Sequence, residues 1–138
     1  KLVAVLPDSR VETEAARKIL PSSVSLHEAV SNVQHSSLLV AALASGDYGM
    51  LRHAVYDELH EKHRKALIPH FDEFAATASE NGALAFAVSG AGSGCIAFCL
   101  DDGAGVQRSF AALIGSLGLS WRTEILEPVN KGAEVLTD

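Results

Sequence analysis

The chain has 138 residues, 48% of them hydrophobic, with a formal net charge of −6 and a sequence pI near 5.4. That length supports one domain with a buried core and is short for two. The acidic balance argues against nucleic-acid binding, which draws its affinity from clustered Lys and Arg, and no apolar run approaches the roughly 20 residues that span a bilayer. The expectation is a cytoplasmic domain with neither nucleic acid nor membrane as partner. It opens on Lys1 of "KLVAVLPD", with no initiator Met, and a cut from a longer chain is one reading of that start.

Residues 2–6, "LVAVL", are a short apolar run closed by Pro7-Asp8, which suits a buried strand. "VETEAARKILP" reads as a short helix that Thr13 can cap and Pro21 stops. In "SVSLHEAVSNVQHSSLLVAALASGD", Ser25 stands three residues before Glu28, the capping-box spacing. Apolar side chains then recur at Leu26, Val30, Val33 and Val40, Ala41, Ala42 and Ala44 allow close packing, and Gly46 ends the longest helix.

Asp47 is placed to cap a further helix through "YGMLRHAVYDELH", and Pro69 interrupts the run after it. "FDEFAATASENG" repeats the helical pattern with Gly82 as its stop. "ALAFAVSG" and "GCIAFCL" read as strands joined by a glycine loop, "GVQRSFAALIGSLG" as a helix, and "SWRTEILEP" with "GAEVLTD" as a closing hairpin. Helices grouped between neighbouring strands predict an α+β fold, an antiparallel sheet covered on one side by helices.

The loop "SGAGSG", residues 89–94, fits neither familiar nucleotide motif. Cys95 stands where a dinucleotide fingerprint needs its third glycine, a strand follows instead of a helix, and no G-K-S/T is present. Two readings remain: a tight turn needing glycine for positive φ, or a hairpin whose N–H groups, helped by the Ser89 and Ser93 hydroxyls, face an anion. In "LHEKHR", His60 and His63 miss the H-E-x-x-H zinc spacing by one residue and no third ligand is evident, so ordinary surface histidines are expected and no metal is assigned. Thr13 and Arg17 share a helix face at i, i+4, a pair suited to a carboxylate, with capping by Thr13 and a solvated Arg17 as the plainer reading. Cys95 and Cys99 point the same way from one strand, too far apart for a disulfide, and are expected as buried reduced thiols. No nucleophile or catalytic carboxylate pair stands out.

Taken in order, "LVAVLPD", "TEAARKILP", "VSLHEAVSNVQHSSLLVAAL", "DELHEKHR…LIP", "AVSGAGSGCIAF" and "RTEILE…GAEV" resemble the C-terminal domain of the homoserine kinases, within the GHMP small-molecule kinase superfamily. The resemblance covers nearly the whole chain, so residues 1–138 read as one GHMP C-terminal domain without the N-terminal nucleotide-binding domain. It implies a ferredoxin-like sandwich, and transfer of the ATP γ-phosphoryl group to the hydroxyl of L-homoserine. Ser89, Gly90 and Gly92 then belong to the third superfamily motif beside the nucleotide, and Thr13, Arg17 and Arg64 hold the substrate, chiefly its carboxylate. ATP and Mg²⁺ are implied mainly for the missing domain, which leaves the isolated chain inactive; the catalytic group stays unassigned and a homodimer open. Asn32 and His60 match recurrent family positions without an assigned role.

Two departures stand out. Ser93 replaces the motif's usual proline, which is expected to leave the loop more mobile. Lys62-His63 replaces the usual Pro-Tyr before Arg64, which puts the aim of Arg64 in question. Another GHMP small-molecule kinase, or a non-enzymatic binding or regulatory domain, is the alternative.

Overall fold

The computed structural model describes residues 1–9, 11–133 and 135. The chain runs β1 (Leu2–Leu6), α1 (Thr13–Lys18), α2 (Leu26–Ser45), α3 (Leu51–Ala54), α4 (Glu61–Arg64), α5 (Phe71–Glu80), β2 (Ala85–Val88), β3 (Cys95–Phe98), α6 (Ala104–Ser116) and β4 (Arg122–Leu126). The strands form one antiparallel sheet in the order β2-β3-β1-β4, with β1 central and β2 at an edge. This is the ferredoxin-like order, with extra helices inserted between β1 and α5.

Strand alternation sorts the core. Val3 and Val5 of β1 sit opposite Ala97 and Cys95 of β3, and all four are buried against Phe71, Phe74 and Ala78 of α5 and Val106, Phe110 and Ile114 of α6. Aromatic rings close this layer: Phe74 stacks on Trp121 at 5.3 Å and meets Phe110 edge-on at 5.4 Å. Phe98, turned to the other face, joins a smaller cluster of Ala42, Leu51 and Leu84, so α2 and α3 attach there while α5 and α6 cover the main face.

Local chemistry explains most boundaries. Ser25 accepts from the Glu28 N–H at 3.2 Å and Glu28 accepts from the Ser25 N–H at 2.9 Å, a complete capping box. Gly46 at φ 75° closes α2 in the left-handed conformation. Ile68, before Pro69, is extended at φ −113° and ψ 107°, as the proline ring demands.

Other expectations are corrected. Thr13 is the first residue of α1 rather than its cap; Glu12 holds the cap position without a side-chain bond. The helix expected through residues 48–60 breaks up. A 3₁₀ turn at Tyr48–Met50 leads into the four residues of α3, and Asp57 Oδ1 then accepts from the N–H groups of Leu59 and His60 at 2.7 and 2.8 Å, diverting the backbone into a turn. The apolar period over residues 26–40 marks a helix but not its buried side: Leu26 is 81% exposed, Val33 66% and Val40 67%. β4 pairs with β1; residues 127–133 carry no strand, and the second arm of the expected terminal hairpin falls largely on Glu134 and residues 136–138, outside the described residues. Among the described residues no helix is long and apolar enough to cross a membrane.

Candidate functional site

A hairpin tip, a short helix and an ion-paired brace make the site. The tip is the β2–β3 loop, closed by the Ser89 N–H on the Gly94 carbonyl at 2.8 Å and the Gly92 N–H on the Ser89 carbonyl at 3.1 Å. Gly90 at φ 61° and Gly92 at φ 93° adopt the left-handed backbone that side chains resist, which is why this turn is glycine-rich. The Gly90 and Ala91 N–H groups are left without a partner among the described residues. Ser93, where the motif usually has proline, is 6% exposed and its hydroxyl donates to the Ser9 carbonyl, fastening the tip to the segment before α1.

α4 grips this tip with two side chains, three residues apart and so on one helix face. Glu61 accepts the Val88 N–H at 2.8 Å, just before the loop. Arg64 donates from Nη1 to the Gly90 carbonyl at 3.1 Å, within the loop, and from Nε to the Ala16 carbonyl of α1 at 3.3 Å. Two of the five guanidinium N–H donors are thereby engaged and the rest remain for a ligand. Burial, with a smaller push from the Asp57 charge, raises the Glu61 carboxyl above the usual range, and the Val88 N–H offsets part of that rise.

In the place of the usual Pro-Tyr, Lys62 braces α4. Its ammonium lies 2.5 Å from Glu28 and 3.5 Å from Glu58, tying α4 to the first turn of α2. Held by Lys62 and two bonds from Ser25, the Glu28 carboxyl is lowered from 4.5 to about 2. Asn32 of α2 plays a comparable structural part, since its Oδ1 accepts the Glu58 N–H at 2.9 Å and fixes the turn that leads to His60.

Arg64 and Gly90 line one cleft of about 190 Å³ together with Tyr56, Asp57, His60 and Glu61. Thr13, Arg17, Ser89 and Gly92 lie outside that lining. Thr13 and Arg17 are exposed on α1, the helix whose Ala16 carbonyl Arg64 holds, and the Arg17 side chain has no hydrogen bond or ion pair among the described residues. His60 pairs with Asp57 at 3.3 Å rather than with His63. Sequence reasoning passed over Asp57, Tyr56 and the role of Glu61. The Asp57 turn has a local signature, an acid two and three residues before the N–H groups it takes; the Glu61 bond spans 27 residues and leaves none.

Chemically, the cleft offers guanidinium donors and a half-buried carboxylate, with Gly90 of the loop in its lining, a setting for a small ligand bearing anionic groups. Among the described residues no three His, Cys, Asp or Glu side chains converge to hold a metal ion.

Comparison with known proteins identifies the family. The family model described as "GHMP kinases C terminal" matches residues 39–115. A homoserine kinase of Clostridium beijerinckii is 36% identical over 99% of this chain and 46% of that protein, and one of Aquifex aeolicus is 38% identical over 98% and 46%. The crystal structure of homoserine kinase from Cytophaga hutchinsonii superposes with a TM-score of 0.81 at 26% identity, covering 90% of this chain and 41% of that one. The chain thus spans less than half the length of the curated relatives it matches. With its glycine-tipped antiparallel sheet and a match across most of its helices and strands, the chain belongs to the GHMP kinase C-terminal domain family.

Proposed function

We propose that this chain is the substrate-side half of a homoserine kinase, which transfers the γ-phosphoryl group of ATP to the hydroxyl of L-homoserine and yields O-phospho-L-homoserine for threonine biosynthesis. The observation that carries the reading is the double attachment of Arg64, to Gly90 of the loop and to Ala16 of α1. It sets the side chain suited to a substrate carboxylate against the loop suited to a nucleotide phosphate. The relatives at 36% and 38% identity, both named homoserine kinases, support the substrate.

In this reading, Arg64 and Arg17 clasp the homoserine carboxylate, with Thr13 beside them on α1. A guanidinium meets a carboxylate through paired N–H bonds, so it orients the ligand as well as attracting it. Fixing the far end of the substrate aligns the hydroxyl for attack, and positioning accounts for much of the catalysis in phosphoryl transfer. Ser89, Gly90 and Gly92 form one wall beside the ATP phosphates, to which the free Gly90 and Ala91 N–H groups can turn. Mg²⁺, which neutralises phosphate charge when bound, falls to the N-terminal GHMP domain of the same polypeptide, as no residue here is assigned to it. The 138-residue chain alone is inactive on this account, and the enzyme draws on cytoplasmic ATP.

The test is steady-state kinetics on the full-length protein. Homoserine should be the preferred acceptor, and Arg64→Ala should raise its KM by about 10- to 100-fold, the size of a lost charge-assisted bond. Preference for another small alcohol would move the protein to a different GHMP kinase. Tight homoserine binding without any phosphoryl transfer would make it a binding domain.

A further inference from the structure

The outer side of α2 is unlike a solvated surface. Leu26, Val30, Val33, Ser37, Val40 and Ala44 follow one another at alternating steps of four and three residues. That is the seam spacing of a helix packed lengthwise against another helix. At 3.6 residues per turn the six positions fall within about 80° of arc, and the stripe spans roughly 27 Å.

This stripe points away from the rest of the molecule, with Leu26, Val30, Val33 and Val40 exposed at 81, 46, 66 and 67%. The inward side of the same helix is already occupied: Asn32 holds Glu58, His35 lies 4.9 Å from the Tyr56 ring, and Ala42 is buried. No Lys, Arg, Asp or Glu occurs between Glu28 and Asp47. A groove of about 220 Å³ runs between Ala29, Val30, Val33 and Gln34. A contiguous exposed apolar face of this kind marks an interaction surface.

We propose that a helix from the half of the polypeptide preceding Lys1 packs lengthwise onto this stripe. The proposal rests on the reading of the chain as the C-terminal part of a full-length kinase. Two observations choose this occupant. The relatives carry more than half their length outside the matched region, and the matched family is a C-terminal one. Lys1 and Leu2, where the preceding chain would join, line an apolar groove of about 490 Å³ with Leu43 and Tyr48, at the C-terminal end of α2. The preceding chain therefore arrives at the C-terminal end of the helix that carries the stripe. Ser37 and Ala44 leave the seam shallow in its second half, so the facing helix presents its bulkier apolar residues there, as interdigitating cores do.

The experiment is photo-crosslinking in the full-length protein with p-benzoylphenylalanine in place of Val33. Because Val33 is already exposed, the replacement leaves the folding of this domain undisturbed. The expected result is an intramolecular crosslink, mapped by mass spectrometry to a helical peptide upstream of Lys1. A crosslink joining two chains would assign the stripe to a second copy and overturn the proposal, and so would a probe that stays uncoupled and solvent-quenched. The readout needs no substrate, so a crosslink in a protein that fails to phosphorylate homoserine would refute the functional reading and leave the docking surface standing.

Discussion

Arg64 and Gly90, 26 residues apart in the chain, are joined by a 3.1 Å hydrogen bond from the guanidinium Nη1 to the glycine carbonyl. One side chain is thereby shared between the loop at the sheet's tip and α1, whose Ala16 carbonyl it also holds. Replacing it with Lys keeps the charge and loses the fork. In the full-length enzyme Arg64→Lys should raise KM for both homoserine and ATP, whereas Arg17→Ala, with no bond to the loop, should raise KM for homoserine alone. Two-substrate kinetics separates the cases; equal effects from both variants would contradict the shared role of Arg64.

Glu61 should matter more as an acceptor than as a charge. Glu61→Ala leaves the Val88 N–H without its 2.8 Å partner and should cost about 1–2 kcal/mol, the usual penalty for an orphaned donor. Glu61→Gln, which keeps an oxygen in place, should recover most of that. Chemical denaturation of both variants measures the difference.

Acid should loosen the brace between α2 and α4. The Glu28 carboxyl falls from 4.5 to about 2 on folding, so the unfolded chain binds the proton more tightly. The stability Glu28 contributes is therefore complete above pH 4.5 and is lost as pH falls toward 2. Glu61, raised on folding, works in the opposite sense: its charge costs stability above its folded value, and protonation relieves the cost as pH falls. Thermal melts from about pH 6 to about pH 2.5 should show a shallower acid loss in Glu28→Gln than in the native protein, and a steeper one in Glu61→Gln.

Removing the Ser93 hydroxyl should reverse the loop's fastening. Ser93→Ala deletes its bond to the Ser9 carbonyl at a cost of about 1 kcal/mol. In the full-length enzyme the variant should raise KM for ATP more than KM for homoserine. An unchanged nucleotide KM would show that the tether does not shape the loop.

The cysteines should be silent in the folded protein. Cys95 is 1% exposed and Cys99 7%, and burial pushes the Cys95 thiol up to about 12 and raises that of Cys99. Since the thiolate is the reactive form, a disulfide reagent at about pH 8 should label neither residue until denaturant is added, and both afterwards.

Much of this fold was legible because its signals are local. The Ser25–Glu28 box, the Gly46 stop, Pro69 and the glycines of the loop each act on backbone within a few residues, and each sits where expected. What escaped depends on distant partners. The turn at Asp57 competes with a helix that spacing alone favours. Strand β4 finds β1, at the far end of the chain, a pairing that no local signal announces. The stripe on α2 has the period of a buried face, and periodicity does not say what does the burying. At the site, Thr13, Arg17, Arg64 and the loop were singled out by motif, whereas Glu61 and the brace through Lys62 became visible only when α4 was seen against β2 and α2.

The Glu61–Val88 bond carries a second consequence. β2 is an outermost strand of the sheet, with its outward N–H groups bare unless something covers them. Such unpaired edges are templates for other chains, and native proteins blunt them with charge. The Glu61 carboxylate occupies the outward N–H of Val88. A residue that shapes the cleft is thus also a guard against aggregation, and a Glu61→Ala preparation should lose soluble yield as well as stability.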